Sequence, residues 1–279
     1  MGGRNVRGKG EKMKEFGLQL WSIRDEFQDK ERTRAAFKTI ASYGYTQAQT
    51  AGTYNFIDPA EFRKYADDAG VKIVGTHYSW NRIKDDIKGT IAYHRTLGTD
   101  EIGIGGYGAK TMEELREFIK TFNDLAKIYH KEGFVLSYHN HSGEFSNEFK
   151  VYEGKTRYDH LLDELDPEAV KFNLDAGWAQ MAGMDVRALI ERMAGRINII
   201  HVKDVQAQYC YGELDGQPFY GPQRIEVGRG NMNYKGIIET AEKCGVKYFV
   251  VEDEFYSTNN PLESVKMSAD YIKSHLLEK

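Results

Sequence analysis

The chain has 279 residues, of which 41% are hydrophobic, so it can bury a substantial core in one large domain or two small ones. Its formal net charge of −4 disfavours a general affinity for nucleic acid or for anionic membranes. No apolar stretch approaches the roughly 18–20 residues that a membrane-spanning helix needs. We therefore expect neither nucleic acid nor a membrane as a partner.

The beginning of the chain differs in composition from the rest. Residues 1–13 are basic and glycine-rich and have no apolar run, which predicts a disordered tail rather than a secretory signal. Residues 14–279 contain no linker-like break and are interpreted as a single domain. Cys210 and Cys244 are too few for a disulfide framework, which favours reduced thiols and a cytoplasmic location.

Eight apolar runs, each followed by a segment with helical periodicity, predict eight strand–helix pairs. Gly44 and Gly133 lie where two of the helices should end, and Asp58 with Pro59 is a typical helix start. In chain order, the predicted strands are 16–21, 46–50, 72–77, 101–105, 134–141, 170–175, 197–201 and 248–252. The predicted helices are 30–42, 58–70, 83–97, 111–132, 157–165, 185–193, 234–244 and 262–277.

This alternation of strands and helices determines the predicted fold. Strands separated by helices of this length indicate right-handed crossovers and a parallel sheet. Eight such units in about 250 residues are typical of a closed barrel, so we predict an α/β fold with a single (β/α)8 TIM barrel. A doubly wound sheet is the competing fold, but no G-x-G-x-x-G motif follows the first strand. Segment 205–232 has no predicted strand or helix and is interpreted as a lid, a pocket for part of the substrate or a subunit contact.

Imidazole and carboxylate groups stand at the ends of the last four predicted strands. In a barrel of this kind the carboxyl ends of the strands form the active-site face, so these groups should meet there. A mixed set of His, Asp and Glu suits a divalent ion such as Mn²⁺, Mg²⁺, Co²⁺ or Zn²⁺. The predicted metal ligands are His139, Asp175, His201 and Glu252.

Residues next to these ligands are candidates for catalysis and substrate binding. Side chains two apart on a strand share a face, which places His141 beside His139. His141 is a candidate base because imidazole titrates near neutral pH, and Glu252 could be ligand and base together. Lys203 could stabilise negative charge that develops on a substrate oxygen. The predicted substrate-binding residues are Trp21, Gln49, His77, Trp178 and Glu254.

Each of these residues also has a purely structural interpretation. An Asp at a strand end is often the N-cap of the next helix, which is an equal alternative for Asp175. His77, at the tip of the third strand, can equally be a hydrogen-bonded core residue, and Trp21 and Trp178 can be packing residues. The case for a metal site depends on the coincidence of four ligand-type residues at equivalent positions of consecutive strands.

Five short segments resemble the sugar phosphate isomerase/epimerase superfamily of xylose isomerase-like TIM barrels, and the resemblance extends over residues 14–278. The resemblance implies a divalent ion, typically Mn²⁺, held by one residue from each of strands five to eight. Asp175, His201 and Glu252 match that pattern. His139 and Gln49 depart from it, since the ketose epimerases have glutamate near both positions. The matching segments are 18–25 (LQLWSIRD), 138–145 (YHNHSGEF), 174–178 (LDAGW), 201–204 (HVKD) and 251–254 (VEDE).

Together these features predict a metal-dependent sugar isomerase or epimerase that removes the proton next to a carbonyl and forms an enediolate. The ketose epimerases resembled here use two opposed glutamates, one of which is missing from this chain. A lyase that cleaves 3-keto-glycosides by β-elimination needs one effective base and is therefore the alternative. A sugar-binding barrel without turnover is the third hypothesis. We expect a sugar or keto-sugar as the small-molecule partner and leave a homo-oligomer open.

Overall fold

The computed structural model describes residues 13–52, 54–146, 151–214, 217–254 and 257–277. Eight parallel strands close into a barrel, and a further pair of strands forms an antiparallel hairpin. The barrel strands are β1 (Gly17–Gln19), β2 (Gln47–Ala51), β3 (Lys72–His77), β4 (Glu101–Ile104), β5 (Val135–His139), β6 (Val170–Asp175), β7 (Ile197–Val202) and β10 (Tyr248–Val251). The hairpin strands are β8 (Asp204–Leu214) and β9 (Gln217–Ile225).

Helices connect the strands on the outside of the barrel. A 3-10 helix, Leu20–Glu26, follows β1 directly, and a second one, Ser142–Phe145, is separated from the end of β5 by two residues. The α-helices are α1 (Lys30–Tyr43), α2 (Pro59–Asp68), α3 (Trp80–Asp85), α4 (Ile87–Leu97), α5 (Met112–Lys131), α6 (Arg157–Glu164), α7 (Ala176–Met181), α8 (Val186–Arg192), α9 (Tyr234–Lys243) and α10 (Pro261–His275). Among the described residues, no helix is long and apolar enough to cross a membrane.

The predicted fold class is confirmed. The strands follow one another around the barrel in chain order, and β1 closes it by pairing with both β2 and β10. The predicted helix starts are also observed where the caps are strong, as at Asp58, whose side chain accepts a hydrogen bond from the N–H of Ala60. Local cap chemistry and the apolar periodicity were therefore sufficient to define the strand–helix units.

Four local predictions differ from the structure. The predicted fifth strand, 134–141, is β5 (Val135–His139), so His141 lies beyond the end of the strand. The predicted helix 83–97 is two helices, because Asp86 ends α3 and its side chain caps the start of α4. The predicted first strand ends at Gln19, since its last residues form a 3-10 helix. Segment 205–232, to which no strand was assigned, contains most of the β8–β9 hairpin.

Two apolar clusters divide the core. The larger one lies between the strands and the surrounding helices, and the smaller one, Val74, Ile199 and Val250, lies apart from it with Tyr248 packed against it. His201 is two residues beyond Ile199 on β7, and on a strand this places it on the same face, nearer the carboxyl end. The small cluster is thus succeeded by polar groups towards the carboxyl ends of the strands.

The described part of the chain begins at Met13. Met13, assigned to the tail, is 5% exposed and belongs to the larger apolar cluster. The remaining part of the predicted tail, 1–12, lies outside the described residues.

Candidate metal and active site

The four predicted ligands meet at the carboxyl end of the barrel. His139, Asp175, His201 and Glu252 are all buried, and each offers one ligand atom within 4.8 Å of those of the other three. The Nδ1 atom of His201 lies 2.9 Å from Oε2 of Glu252 and 3.5 Å from Oδ2 of Asp175. Parallel pairing produces this convergence, because it places Asp175 and His201 opposite each other at the ends of adjacent strands.

Asp175 has both of the roles considered for it from the sequence, helix N-cap and member of the ligand cluster. Its Oδ1 accepts a hydrogen bond of 2.8 Å from the N–H of Trp178 and so caps α7. Its Oδ2 points to the cluster, where it lies 3.5 Å from Nε2 of His139. One carboxylate therefore fixes the start of a helix and contributes a donor atom to the cluster.

This donor set fits a divalent ion. The described residues provide no hydrogen-bond partner for either ring nitrogen of His139, although both nitrogens are buried. Leaving two buried polar atoms unpaired is costly, and a metal bond to one of them would remove part of that cost. Two imidazoles and two carboxylates are donors that Mn²⁺, Co²⁺ and Zn²⁺ accept.

Lys203 is a buried cation within the same cluster. Its Nζ lies 2.9 Å from Oδ2 of Asp175, 2.9 Å from Oε2 of Glu252 and 3.1 Å from Oε2 of Glu254. Burial opposes its charge, but the three carboxylates raise the pKa of Lys203 well above its usual range. Lys203 is therefore a permanent ammonium and cannot act as a base at neutral pH.

The same charges determine the ionisation of the ligands. Burial opposes the charged forms of Asp175 and Glu252, but Lys203 and His201 outweigh it and hold the pKa of both carboxyls well below the usual range. Burial also opposes a charge on His201, yet the two carboxylates raise its pKa to about 9. Both carboxylates are therefore ionised at neutral pH, and His201 carries a proton that it has to release before its ring nitrogen can bind an ion.

His141, the predicted base, lies beside the ligand cluster and outside it. Its ring centroid is 4.9 Å from that of His139 and 5.4 Å from that of Trp178. The backbone N–H of His141 donates to Glu144, which fixes the loop after β5. Burial first, and the neighbouring His139 second, lower the pKa of His141 below 6.5. Its imidazole is therefore neutral near pH 7 and available to accept a proton.

Of the residues predicted to bind substrate, Gln49 contacts the ligand His201 directly, and His77 is linked to His201 through Asn173. Oε1 of Gln49 lies 2.6 Å from Nε2 of His201 and accepts a hydrogen bond from Gln19. Nε2 of His77 and Nε2 of His201 lie 2.9 and 3.1 Å from Nδ2 of Asn173. His77 also forms a second possible ligand group with His139 and His201. Gln49 is completely buried, whereas His77 is partly exposed to the cavity.

Three residues that contact the site were not predicted from the sequence: Gln19, Asn173 and Arg224. Asn173 carried a usable signal, because it lies two residues before Asp175 on the same face of β6. The pairing of Gln19 in register with Gln49 is known only from the structure. Arg224 is on β9, in the segment to which no strand had been assigned.

Arg224 changes the interpretation of Trp178. The Arg224 guanidinium carbon lies 4.4 Å from the centroid of the Trp178 ring, and Nζ of Lys203 lies 5.1 Å from it. Arg224 also forms an ion pair with Glu254. Trp178 therefore packs against two cations beside the cluster. Trp21, by contrast, is 45% exposed.

A cavity of about 400 Å³ opens onto the cluster and is large enough for a monosaccharide-sized molecule. Residues predicted as metal ligands, as catalytic groups and as substrate-binding groups all contribute to the cavity wall. The wall includes Trp21, His77, His139, His141, Glu252 and Glu254.

A closed parallel barrel with acidic and imidazole side chains gathered at the carboxyl ends of its strands defines a TIM barrel with an enzyme-like site. Residues 37–275 match the xylose isomerase-like TIM barrel family, and the chain belongs to that family.

Curated relatives of the chain are enzymes. It is 28% identical over 177 residues to an inosose dehydratase of Lactiplantibacillus plantarum, in an alignment that covers 60% of this chain and 56% of that enzyme. The chain thus spans little more than half the length of that relative. It is 25% identical over 282 residues to the inosose dehydratase of Salmonella typhimurium, with 87% of this chain and 89% of that enzyme covered.

A solved structure has the same fold over nearly the full chain. It is a sugar phosphate isomerase/epimerase from Parabacteroides distasonis, with a TM-score of 0.78 and 24% identity. The superposition covers 97% of this chain and 96% of that one.

Proposed function

We propose that this protein is a metal-dependent lyase that removes water from a cyclic keto-polyol of the inosose class. The reaction begins with removal of the proton next to the carbonyl and ends with loss of the hydroxyl group one carbon further on. One observation carries the proposal. Asp175, Glu252 and Glu254 all contact the ammonium group of Lys203, so the three carboxylates form a single cluster and are not two opposed groups.

This arrangement favours elimination over epimerisation by paired carboxylates. Such epimerisation requires a carboxylate on each face of the substrate, and the position on β5 that would supply the second one is occupied by His139. Elimination requires one base, together with an acid for the leaving group. Isomerisation or epimerisation was the first prediction from the sequence, and the names of the curated relatives add weight to the lyase.

The proposed mechanism assigns the proton transfers to His141. Its neutral imidazole takes the proton from the carbon next to the carbonyl, and the resulting imidazolium returns that proton to the leaving hydroxyl, which departs as water. Lys203 remains an ammonium and neutralises charge that develops on the substrate oxygens. A divalent ion held by His139, Asp175, His201 and Glu252 would supply a Lewis acid for the carbonyl.

The remaining predicted residues would orient the substrate. Trp21 provides an exposed apolar surface at the cavity, while His77 and Glu254 present polar atoms to it. Mn²⁺ remains our prediction for the ion, with Mg²⁺, Co²⁺ and Zn²⁺ as alternatives.

Epimerisation or isomerisation of a ketose remains the second candidate, and one feature of the site favours it. The ring centroids of His77 and His141 lie 4.7 and 4.9 Å from that of His139, and both residues line the cavity. Burial, followed by the neighbouring His139, lowers the pKa of each imidazole, so both are neutral near pH 7. Two neutral imidazoles could replace two carboxylates as a pair of bases.

Solvent deuterium exchange distinguishes these functions. Mn²⁺-loaded protein is incubated in D₂O with an inosose, a free ketose and a 3-keto-glycoside, and each mixture is followed by NMR. We expect the inosose to yield an unsaturated or enolised dicarbonyl product, and EDTA to abolish this turnover until Mn²⁺ is restored. The surface variant E117Q is the matched control and should behave as the wild type, since Glu117 is exposed on α5.

The other outcomes are equally distinct. Deuterium in a recovered or epimerised ketose, with no loss of water from the inosose, would replace the lyase by an isomerase or epimerase. Release of the aglycone from the 3-keto-glycoside would retain the lyase and change its substrate. Binding without exchange on any substrate would establish a non-catalytic sugar-binding barrel.

A further inference from the structure

The ammonium group of Lys203 contacts two carboxylate oxygens that would also have to bind the divalent ion. Its nitrogen atom lies 2.9 Å from Oδ2 of Asp175 and 2.9 Å from Oε2 of Glu252. These same two oxygens face Nε2 of His139 and Nδ1 of His201. A divalent ion bonded to both oxygens would lie within a few ångströms of the ammonium, and two cations at that separation repel each other strongly in a buried site.

We propose that Lys203 and the divalent ion are alternative occupants of the two carboxylates, and that Glu254 retains the ammonium when the ion binds. The inference rests on the metal dependence proposed above. It adds a positioning role for Glu254 and makes Lys203 a resident counter-ion that weakens metal binding.

Glu254 is well placed to receive the ammonium. Its Oε2 is already 3.1 Å from Nζ of Lys203, and it belongs to neither of the possible ligand groups. Glu254 lies two residues after Glu252 and faces the cavity. It is held from the other side by an ion pair with Arg224 on the hairpin. A small movement of the ammonium away from Asp175 and Glu252 therefore leaves it with a carboxylate partner.

Only the far end of the Lys203 side chain is free to make this movement. The backbone N–H of Lys203 donates to the hydroxyl oxygen of Tyr234 at 2.8 Å, and that hydroxyl donates to the carbonyl oxygen of Lys203 at 2.7 Å. A Cβ atom on Gly177 would lie 2.9 Å from Cγ of Lys203, so the stem of the side chain packs closely against α7. The exchange is thus a local rotation about the terminal bonds, with the backbone fixed.

The test measures Mn²⁺ affinity by titration calorimetry on metal-free protein, independently of activity. K203M should bind Mn²⁺ at least about tenfold more tightly than the wild type, because no ammonium has to leave. K203R should bind it more weakly, since a guanidinium holds a pair of carboxylates more firmly. K120M removes an exposed lysine on α5 and should leave the affinity unchanged.

A double-mutant cycle with E254Q separates exchange from a general effect of charge. In the wild-type background E254Q should weaken Mn²⁺ binding about tenfold, because the displaced ammonium loses its partner. In the K203M background the same change should have an effect of less than about threefold. An equal effect in both backgrounds would refute the transfer to Glu254, since lost negative charge alone acts identically in both.

The remaining outcomes distinguish this inference from the proposed function. Wild-type binding with an unchanged or weaker affinity in K203M would overturn the inference and leave the metal dependence intact. Absence of Mn²⁺ binding in both proteins would overturn both. If K203M does not fold without an ion, K203R and E254Q can replace it, because both variants keep a cation at position 203. Their Mn²⁺ affinities are then compared with that of the wild type. Wild-type affinity in both of these variants would overturn the inference.

Discussion

Replacing Glu101 by glutamine should make the protein more stable at alkaline pH and leave it unchanged at acidic pH. Glu101 is 2% exposed at the start of β4, and Nδ2 of Asn198 donates to its Oε2 at 2.7 Å. Burial raises the pKa of this carboxyl from 4.5 to about 7, and the hydrogen bonds to its oxygens only partly compensate. A glutamine would retain an acceptor for Asn198 without a titratable proton.

The direction follows from the proton balance between the folded and unfolded states. Below pH 4.5 the carboxyl is protonated in both states and has no effect on the pH dependence. As the pH rises towards 7, the unfolded chain ionises first, so the folded state becomes progressively less stable. One pKa unit corresponds to about 1.4 kcal/mol, and the gap between 4.5 and about 7 therefore costs the folded protein about 3 kcal/mol by pH 8.

Urea unfolding of metal-free protein at pH 5 and pH 8 measures this effect. The stability difference between E101Q and the wild type should increase by roughly 2–3 kcal/mol between the two values, with unchanged m-values. E117Q removes an exposed carboxylate from α5, and its free energy of unfolding should equal that of the wild type at both pH values. A difference between E101Q and the wild type that does not vary with pH would show that the buried carboxyl is not destabilised by its environment.

Three further substitutions test the active-site end of the barrel. H141Q should lower turnover and solvent exchange by about 100-fold or more while Mn²⁺ affinity stays unchanged; full activity would exclude His141 as the base. D204A removes a carboxylate that accepts hydrogen bonds from four backbone N–H groups, and should cost about 3 kcal/mol in urea unfolding; wild-type stability would refute this anchoring role. G177A would place a Cβ 2.6 Å from the carbonyl oxygen of Lys203 and should cost about 1–3 kcal/mol. G108A, where the added methyl meets open space, is its control; equal stability of the two would contradict the close packing at position 177.

The predictable part of this protein consists of properties that are local in the chain. Apolar runs and helix caps identified the eight units, and the alternation of units leads to a closed barrel. The barrel in turn places the ends of consecutive strands at one edge. Position at a strand end was therefore enough to predict that His139, Asp175, His201 and Glu252 would converge.

The β8–β9 hairpin shows where the local signals were ambiguous. The Asp215-Gly216 pair between its two strands is a typical turn sequence. Residues 205–209 (VQAQY) alternate between apolar and polar and favour a strand, whereas residues 217–225 (QPFYGPQRI) contain two prolines and do not alternate. Pairing between its own two strands defines it, and that pairing is a tertiary property.

The environment of each site residue was decided by contacts between distant parts of the chain. Irregularities in strand pairing near Gln49 and Asn173 shift the register there, and periodicity alone cannot locate such shifts. They accompany the contact of both amides with His201, at positions far apart in sequence. Lys203 and Glu254 are likewise joined across two strands. The sequence thus determined which chemical groups reach the carboxyl end of the barrel. Their partners and charges were decided only by the closed barrel, because burial and register exist only in the folded chain.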